Sequence, residues 1–327
     1  MNRKLFAPVL FALAAVLAIS AWPAASAAQN SPTAVLTSCK GPVTVQRAGG
    51  EKVAATFGLA LNDGDEVKTG AGAEAEIMFA AGNWVQVGEN SAMTIKGRPG
   101  GVTARNQGGL QGDKPVNGNG SFEVVQNFLK LKNSEGTSSI GALRSADKAS
   151  ALVALAPCQT RVRAGRPTFR WKIEDPATEL RLTVYSESGV LGQFEVTNTT
   201  TFAYPSEAPA LTPGVSYSWT IETSDPLVSP PLRTAAAYFE IMAPADAKAL
   251  ESGLAGLEAK KPGPVTYHLM RASLFFDHGL VDEAITETES ALASDPDNSS
   301  LHAILGRLYA ESGRTKDAIS EMNKAQQ

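Results

Sequence analysis

Three histidines, two cysteines and several grouped acids are the residues of this chain whose types could support chemistry. His268 and His302 hold equivalent places in a repeat, and His278 stands beside the turn glycine Gly279. That spacing predicts packing roles for all three instead of a metal site. Asp63, Asp65 and Glu66 would suit a hard cation, but the ordered run of oxygen ligands a calcium loop needs is absent, and a turn accounts for the acids. No zinc-binding helix motif, nucleophile elbow or phosphate-cradling glycine loop occurs, and Gly97, Gly100 and Gly101 precede no helix. A pair of glycosidase-type carboxylates would need a cleft that the sequence does not define. The expectation is a protein that is not an enzyme, with no catalytic residues, no cofactor and no metal.

Cys39 and Cys158 lie outside any C-x-x-C pair, one at the entrance to each of two successive β units. In an oxidising compartment they are placed to form a structural disulfide or to remain free thiols. Leu36-Thr37-Ser38-Cys39 loosely fits a lipid-attachment site, but it comes well after the apolar core that such a cysteine should follow directly. Trp84 falls on the polar-looking side of its strand, where it would either stack on a sugar or pack against the next part of the chain. Trp171 and Trp219 alternate with apolar neighbours and are expected to anchor a core.

The compartment follows from the first 27 residues. Arg3 and Lys4 precede an apolar run from Leu5 to Ile19, and Ala25-Ser26-Ala27 offers small residues for cleavage. This is the pattern of a signal peptide and predicts a periplasmic or secreted protein. Cleavage removes two basic residues and no acidic ones, making the formal net charge of −4 two units more negative. That balance argues against nucleic acid and anionic membranes as partners. No later stretch is long and apolar enough for a stable membrane span, so the mature chain is expected to be soluble.

The elements must now be read around these residues. At 327 residues and 43% hydrophobic content the chain can bury several cores. Between Gly58 and Lys96, Ala75, Ile77 and Phe79 alternate with Glu74, Glu76 and Met78, as Val85 and Val87 do with Trp84 and Gln86. Gly64-Asp65, Thr69-Gly70 and Gly82-Asn83 mark the turns. This is the pattern of short half-buried strands. The Gly-rich stretch 97–120 reads as an exposed loop, and Phe122, Val124, Phe128, Leu129 and Leu131 as one or two strands closing a unit over 28–150. Gly41 to Val45, Leu61 to Gly70, Glu74 to Phe79, Gly82 to Gly88 and Ser91 to Ile95 resemble the periplasmic domain of the FecR family, with a weaker echo at Ser138 to Arg144. The resemblance implies a small β domain in a bacterial cell envelope and a place in signal relay. That family relays through a membrane helix and a cytoplasmic segment, and this chain shows neither pattern.

Over 151–243, Phe169, Trp171 and Ile173, then Leu180, Leu182 and Val184, then Tyr217, Trp219 and Ile221 repeat at period two between Gly and Pro turns. Regular short strands predict an antiparallel sandwich. Leu211 to Ile221 resembles the corresponding strand of immunoglobulin-like and fibronectin type III-like domains. After 243 the period becomes helical. Ala247, Leu250, Leu254 and Leu257 predict a helix within 244–264 that ends at a Pro-Gly linker. From 265 to 327 a repeat follows: Ala272, Phe275, Gly279, Ala284 and Ala291 recur thirty-four residues later as Gly306, Tyr309, Gly313, Ala318 and Ala325, with Pro296 between the copies. These positions resemble a pair of tetratricopeptide repeats (TPR), with Arg271 standing where that family carries a large apolar residue.

The whole predicts a multidomain chain, mostly β with an α tail: a small FecR-like β domain, an antiparallel β-sandwich and C-terminal α-helical TPR hairpins. Its expected function is an exported, non-enzymatic scaffold for protein–protein binding. The TPR end would bind another envelope protein or a second copy. A periplasmic sensor acting through another protein is the alternative, and cell-wall glycan binding at Trp84 the third reading.

Overall fold

Period-two patterning and tight turns dictate short strands in the first half of the chain, and these pair into two sheets. The computed structural model describes residues 32–96, 103–106, 110–112, 120–133, 151–175, 178–224, 229–259 and 262–327. The signal-peptide pattern over 1–27 and the Ser138–Arg144 echo lie outside them. The strands in chain order are β1 (Ala34–Lys40), β2 (Val43–Gln46), β3 (Lys52–Ala54), β4 (Ala60–Leu61), β5 (Glu66–Thr69), β6 (Glu74–Phe79), β7 (Trp84–Val87), β8 (Ser91–Thr94), β9 (Thr103–Asn106) and β10 (Leu110–Gly112). They form two antiparallel sheets, in the orders β10-β7-β6-β1-β4 and β3-β2-β5-β8-β9. Leu36, Val45, Leu61, Val67, Ile77 and Met93 fill the space between them. The predicted loop 97–120 therefore contributes two strands, β9 on β8 and β10 on β7. Strand pairing is non-local, so Gly-rich sequence on either side did not announce it.

Asp65 shows what the acids around its turn do. It is 2% exposed and accepts hydrogen bonds from Arg47 Nη1 (2.7 Å), Asn62 N (2.9 Å) and Ala48 N (3.2 Å). A buried carboxylate so fully paired is a turn organiser, not a free ligand. Gly64, at φ +85°, supplies the left-handed residue that lets the turn reach Ile95 O.

The second half of the β region holds β11 (Leu152–Ala156), β12 (Thr160–Val162), β13 (Thr168–Ile173), β14 (Leu180–Ser186), β15 (Gly189–Val196), β16 (Thr201–Ala203), β17 (Ser216–Thr223) and β18 (Ala237–Ile241). Sheets of order β11-β13-β16 and β12-β18-β17-β14-β15 enclose a core around Phe169, Trp171 and Trp219. Both tryptophans are core anchors: Phe169 meets Trp219 edge-on at 5.2 Å, and Trp219 Nε1 donates to Pro157 O at 2.7 Å. The expected purely antiparallel sandwich is corrected at one place, where β12 runs parallel to β18.

The helices are α1 (Gly120–Leu129), continued by a 3-10 turn (Lys130–Asn133), α2 (Pro244–Glu258), α3 (Pro264–Asp277), α4 (Val281–Ser294), α5 (Ser299–Glu311) and α6 (Thr315–Lys324). The strands expected over 121–133 are thus a helix. Phe122, Val125, Phe128 and Leu129 make one buried stripe at helical spacing, whereas Phe122 with Val124 and Leu129 with Leu131 match period two. α1 lies against α3, with Phe128 edge-on to Phe276 at 5.6 Å. One apolar cluster joins α1 and α2 to the hairpins α3–α4 and α5–α6, and takes in Val35, Phe57 and Met78 from the first β unit.

That cluster explains β6, which is buried on both faces. Ala75, Ile77 and Phe79 turn to their own sheet core, while Glu76 and Met78, at 4% and 0% exposure, lie under the helices. The alternation read from sequence was real, but the acidic face is covered. Replacing Phe128 by Ala should destabilise the chain by about 3–5 kcal/mol in urea unfolding with an unchanged slope. The exposed neighbour Asn127→Ala should stay within about 0.5 kcal/mol of the wild type.

Candidate functional site

The repeat positions singled out by spacing build two hairpins of one design. Ala272, Ala284, Ala291 and Ala318 are completely buried where helices cross. A Cβ at Gly306 would come within 2.8 Å of Met322, so the second hairpin closes more tightly than an alanine allows. Gly279 and Gly313 make the turns at φ +74° and +77°. Phe275 and Tyr309 are buried equivalents, Pro296 lies exposed between α4 and α5, and Ala325 closes α6.

His268 and His302 are structural partners in the same repeat. His268 Nδ1 lies 2.7 Å from Glu287 Oε2, and His302 Nδ1 lies 2.6 Å from Glu321 Oε2. Each pair ties the first helix of a hairpin to the second. Glu287 and Glu321 are themselves thirty-four residues apart, so the sequence held this signal and the apolar-plus-small-residue pattern passed over it. Burial pushes Glu321 up, but bonds from Lys324 and His302 outweigh it and leave the carboxyl below its ordinary range. Arg271 forms a bridge between helices. It reaches Glu287 at 2.8 Å and Glu258 of α2 at 3.2 Å, and its guanidinium lies 5.4 Å from the Tyr267 ring and 5.5 Å from the Phe275 ring.

The two hairpins present related clefts. In the first, about 430 Å³, Arg163 and Arg170 of the second β unit face Phe275, Asp282 and Glu283. Burial, reinforced by Glu283 and opposed by Arg170 and Arg314, raises Asp282 to about 6; burial likewise raises Glu283. The second β unit is fixed here by backbone and side chain together. Arg161 N donates to Gly279 O at 2.8 Å, and Thr160 Oγ1 accepts from Val281 N at 2.9 Å. The second cleft, about 860 Å³, runs between α4, α5 and α6 and is lined by Leu292, Ala293, Pro296, Leu305, Tyr309 and Lys324. Tyr309 Oη donates to Glu289 on its edge.

Asp282 and Glu283 are neighbours in the first turn of α4, where acids favour the helix N-terminus. Among the described residues no group of three His, Cys, Asp or Glu side chains could hold a metal.

At Trp84 and at the two cysteines the packing favours one of the two alternatives. Trp84 is 7% exposed: it stands directly opposite Met78 in the β6–β7 register, on the face the helices cover, so it presents no platform for a sugar. Cys39 and Cys158 do not bond to each other. Cys39 lies on β1 with Sγ donating to Ala55 O at 3.7 Å, while Cys158, between β11 and β12, neighbours Gly313 of the second hairpin. Burial raises both thiols, Cys158 to about 11 with Asp282 adding to the rise. Unfolding without reductant should therefore expose two alkylatable thiols. In the native state Cys158 labelling should be slow and should quicken about tenfold per pH unit toward pH 11. An intact mass two hydrogens short would contradict this.

No family model and no curated protein matches the chain. Among solved structures, a multi-domain immunophilin from Arabidopsis thaliana is 14% identical, covering 55% of this chain and 98% of its own, at a TM-score of 0.19. A beta-1,2-glucanase from Parabacteroides distasonis is 9% identical, covering 89% of this chain and 58% of its own, at 0.22. A chain titled pT26-6p is 11% identical, with 90% and 82% covered, at 0.17. Likenesses this slight carry no argument about function.

Proposed function

We propose that this chain is an exported, non-enzymatic scaffold of the cell envelope that binds another protein through its helical hairpins. The reading combines a FecR-like first β unit, an immunoglobulin- or fibronectin-like second unit and a TPR-type hairpin pair. One observation carries it. The groove between α4, α5 and α6 pairs the apolar side chains of Leu292, Leu305 and Tyr309 with a charged rim at Glu289 and Lys324. Such a surface suits an amphipathic helix or extended segment, with the apolar floor giving affinity and the rim giving register. Another envelope protein is the expected partner, and a second copy of the chain the competing occupant. The opposite side of the first hairpin is filled by α1, so the full chain is the form to test.

A periplasmic sensor acting through another protein is the second reading. What favours it is the shared cluster, which ties Val35, Phe57 and Met78 of the first β unit to the hairpins, so that a change in one reaches the other.

Ala293 is exposed at the groove and available for a probe. A photoreactive side chain at 293 in the full chain, activated in the native envelope, should give one dominant adduct. Ala293→Arg should weaken capture about tenfold or more while leaving thermal unfolding within a few degrees. Adducts only with the chain itself would reassign the groove to self-association. Capture that is indifferent to Ala293→Arg would remove it as the binding surface.

A further inference from the structure

The first helix of the first hairpin begins without a cap of its own. α5 starts after Asn298, whose Oδ1 accepts from Leu301 N at 3.1 Å. α3 starts after Gly263, which has no side chain to offer. Its acceptor comes from the first β unit, 187 residues away, where Glu76 Oε1 takes the Gly263 N–H at 2.8 Å. A Cβ at Gly263 would stand 2.3 Å from that oxygen, so an alanine would displace the carboxylate from the helix start. Alongside, Thr266 Oγ1 donates to Thr37 Oγ1 at 2.9 Å, and Thr37 Oγ1 to Glu76 O at 3.2 Å.

This carboxylate is in a costly place. Glu76 is 4% exposed, and its Oε2 is buried without a hydrogen-bond partner among the described residues. Burying an ionised group is unfavourable unless its lone pairs are met, and one N–H meets only part of them. Among the described residues the charged groups that face it are Glu74 on β6 and Lys40 on β1; α3 contributes the Thr266 hydroxyl and the Gly263 N–H. Burial pushes the carboxyl above its ordinary 4.5 against the pull of Thr266 and Gly263, with Glu74 adding to the rise and Lys40 opposing it.

We infer that Glu76 is a proton-sensitive clasp between the first β unit and the first hairpin, closing more firmly when protonated and loosening when ionised. The step is a proton taken from solvent onto the carboxylate, with no other bond made or broken. The docked state holds that proton to higher pH than an opened state, whose exposed carboxyl titrates near 4.5. Docking is therefore strongest below about 4.5 and weakens as the pH climbs through the docked-state value. The clasp lies outside the α4–α6 groove and stands whether or not that groove binds a partner.

Hydrogen exchange of the Gly263 amide, corrected for its intrinsic rate, reads the clasp directly. Its protection in the wild type should fall several-fold between about pH 5 and about pH 8. In Glu76→Gln, which keeps the acceptor oxygen and cannot ionise, protection should stay level over that range. The same slope in both proteins, or protection that rises with pH in the wild type, would overturn the inference. A carboxyl ¹³C titration of Glu76 needs no variant, and a midpoint at or below 4.5 would overturn it equally.

Discussion

The apolar contact of α1 with α3, continued onto Val35, Phe57 and Met78 of the first β unit, is what the rest of the structure depends on. A helix of ten residues is shorter than the length of about 12–15 at which isolated helices become even marginal in water. It persists because Phe122, Val125, Phe128 and Leu129 are all removed from solvent. The dependence runs both ways. Without α1, part of α3 would be uncovered, and the helix whose N-terminus meets the buried Glu76 of β6 would lose part of its support. Residues Pro32–Gln327 accordingly form one compact unit.

Polar contacts then fix orientation where apolar packing alone would allow sliding. Glu76 meets the start of α3, Thr160 and Arg161 meet the turn at Gly279, and Arg271 spans α2 and α4. Each is held in part by backbone atoms or by two partners, which restricts the geometry more than a single exposed ion pair could. Exposed pairs such as Arg181 with Glu195 contribute little beside them. The scaffold reading gains from this rigidity, because a groove held in one shape loses less entropy when a partner enters it.

Much of the fold was legible because the relevant forces are local. Period two located most of the strands, turn glycines separated them, and a thirty-four-residue period located both hairpins. The misses share one cause. Trp84 and Glu76 looked exposed because alternation reports which face is less apolar, not whether another element lies on it. The 121–133 segment reads as strand because Phe122 with Val124 and Leu129 with Leu131 fit period two, and burial against α3 decided for the helix. β9 and β10 escaped notice because their partners lie elsewhere in the chain. The cysteines seemed matched by their positions at unit entrances, a correspondence in sequence that the packing does not turn into proximity.

By itself the sequence determined the kinds of element and their order, since side-chain period, turn chemistry and small residues at helix crossings act within a few residues. It also held the His–Glu pairing of the hairpins, written twice at one spacing. Only the tertiary structure decided which faces stay open. Coverage depends on elements far apart in the chain: α1 fills one side of the first hairpin, the helices bury the acidic face of β6, and the groove between α4, α5 and α6 is left accessible.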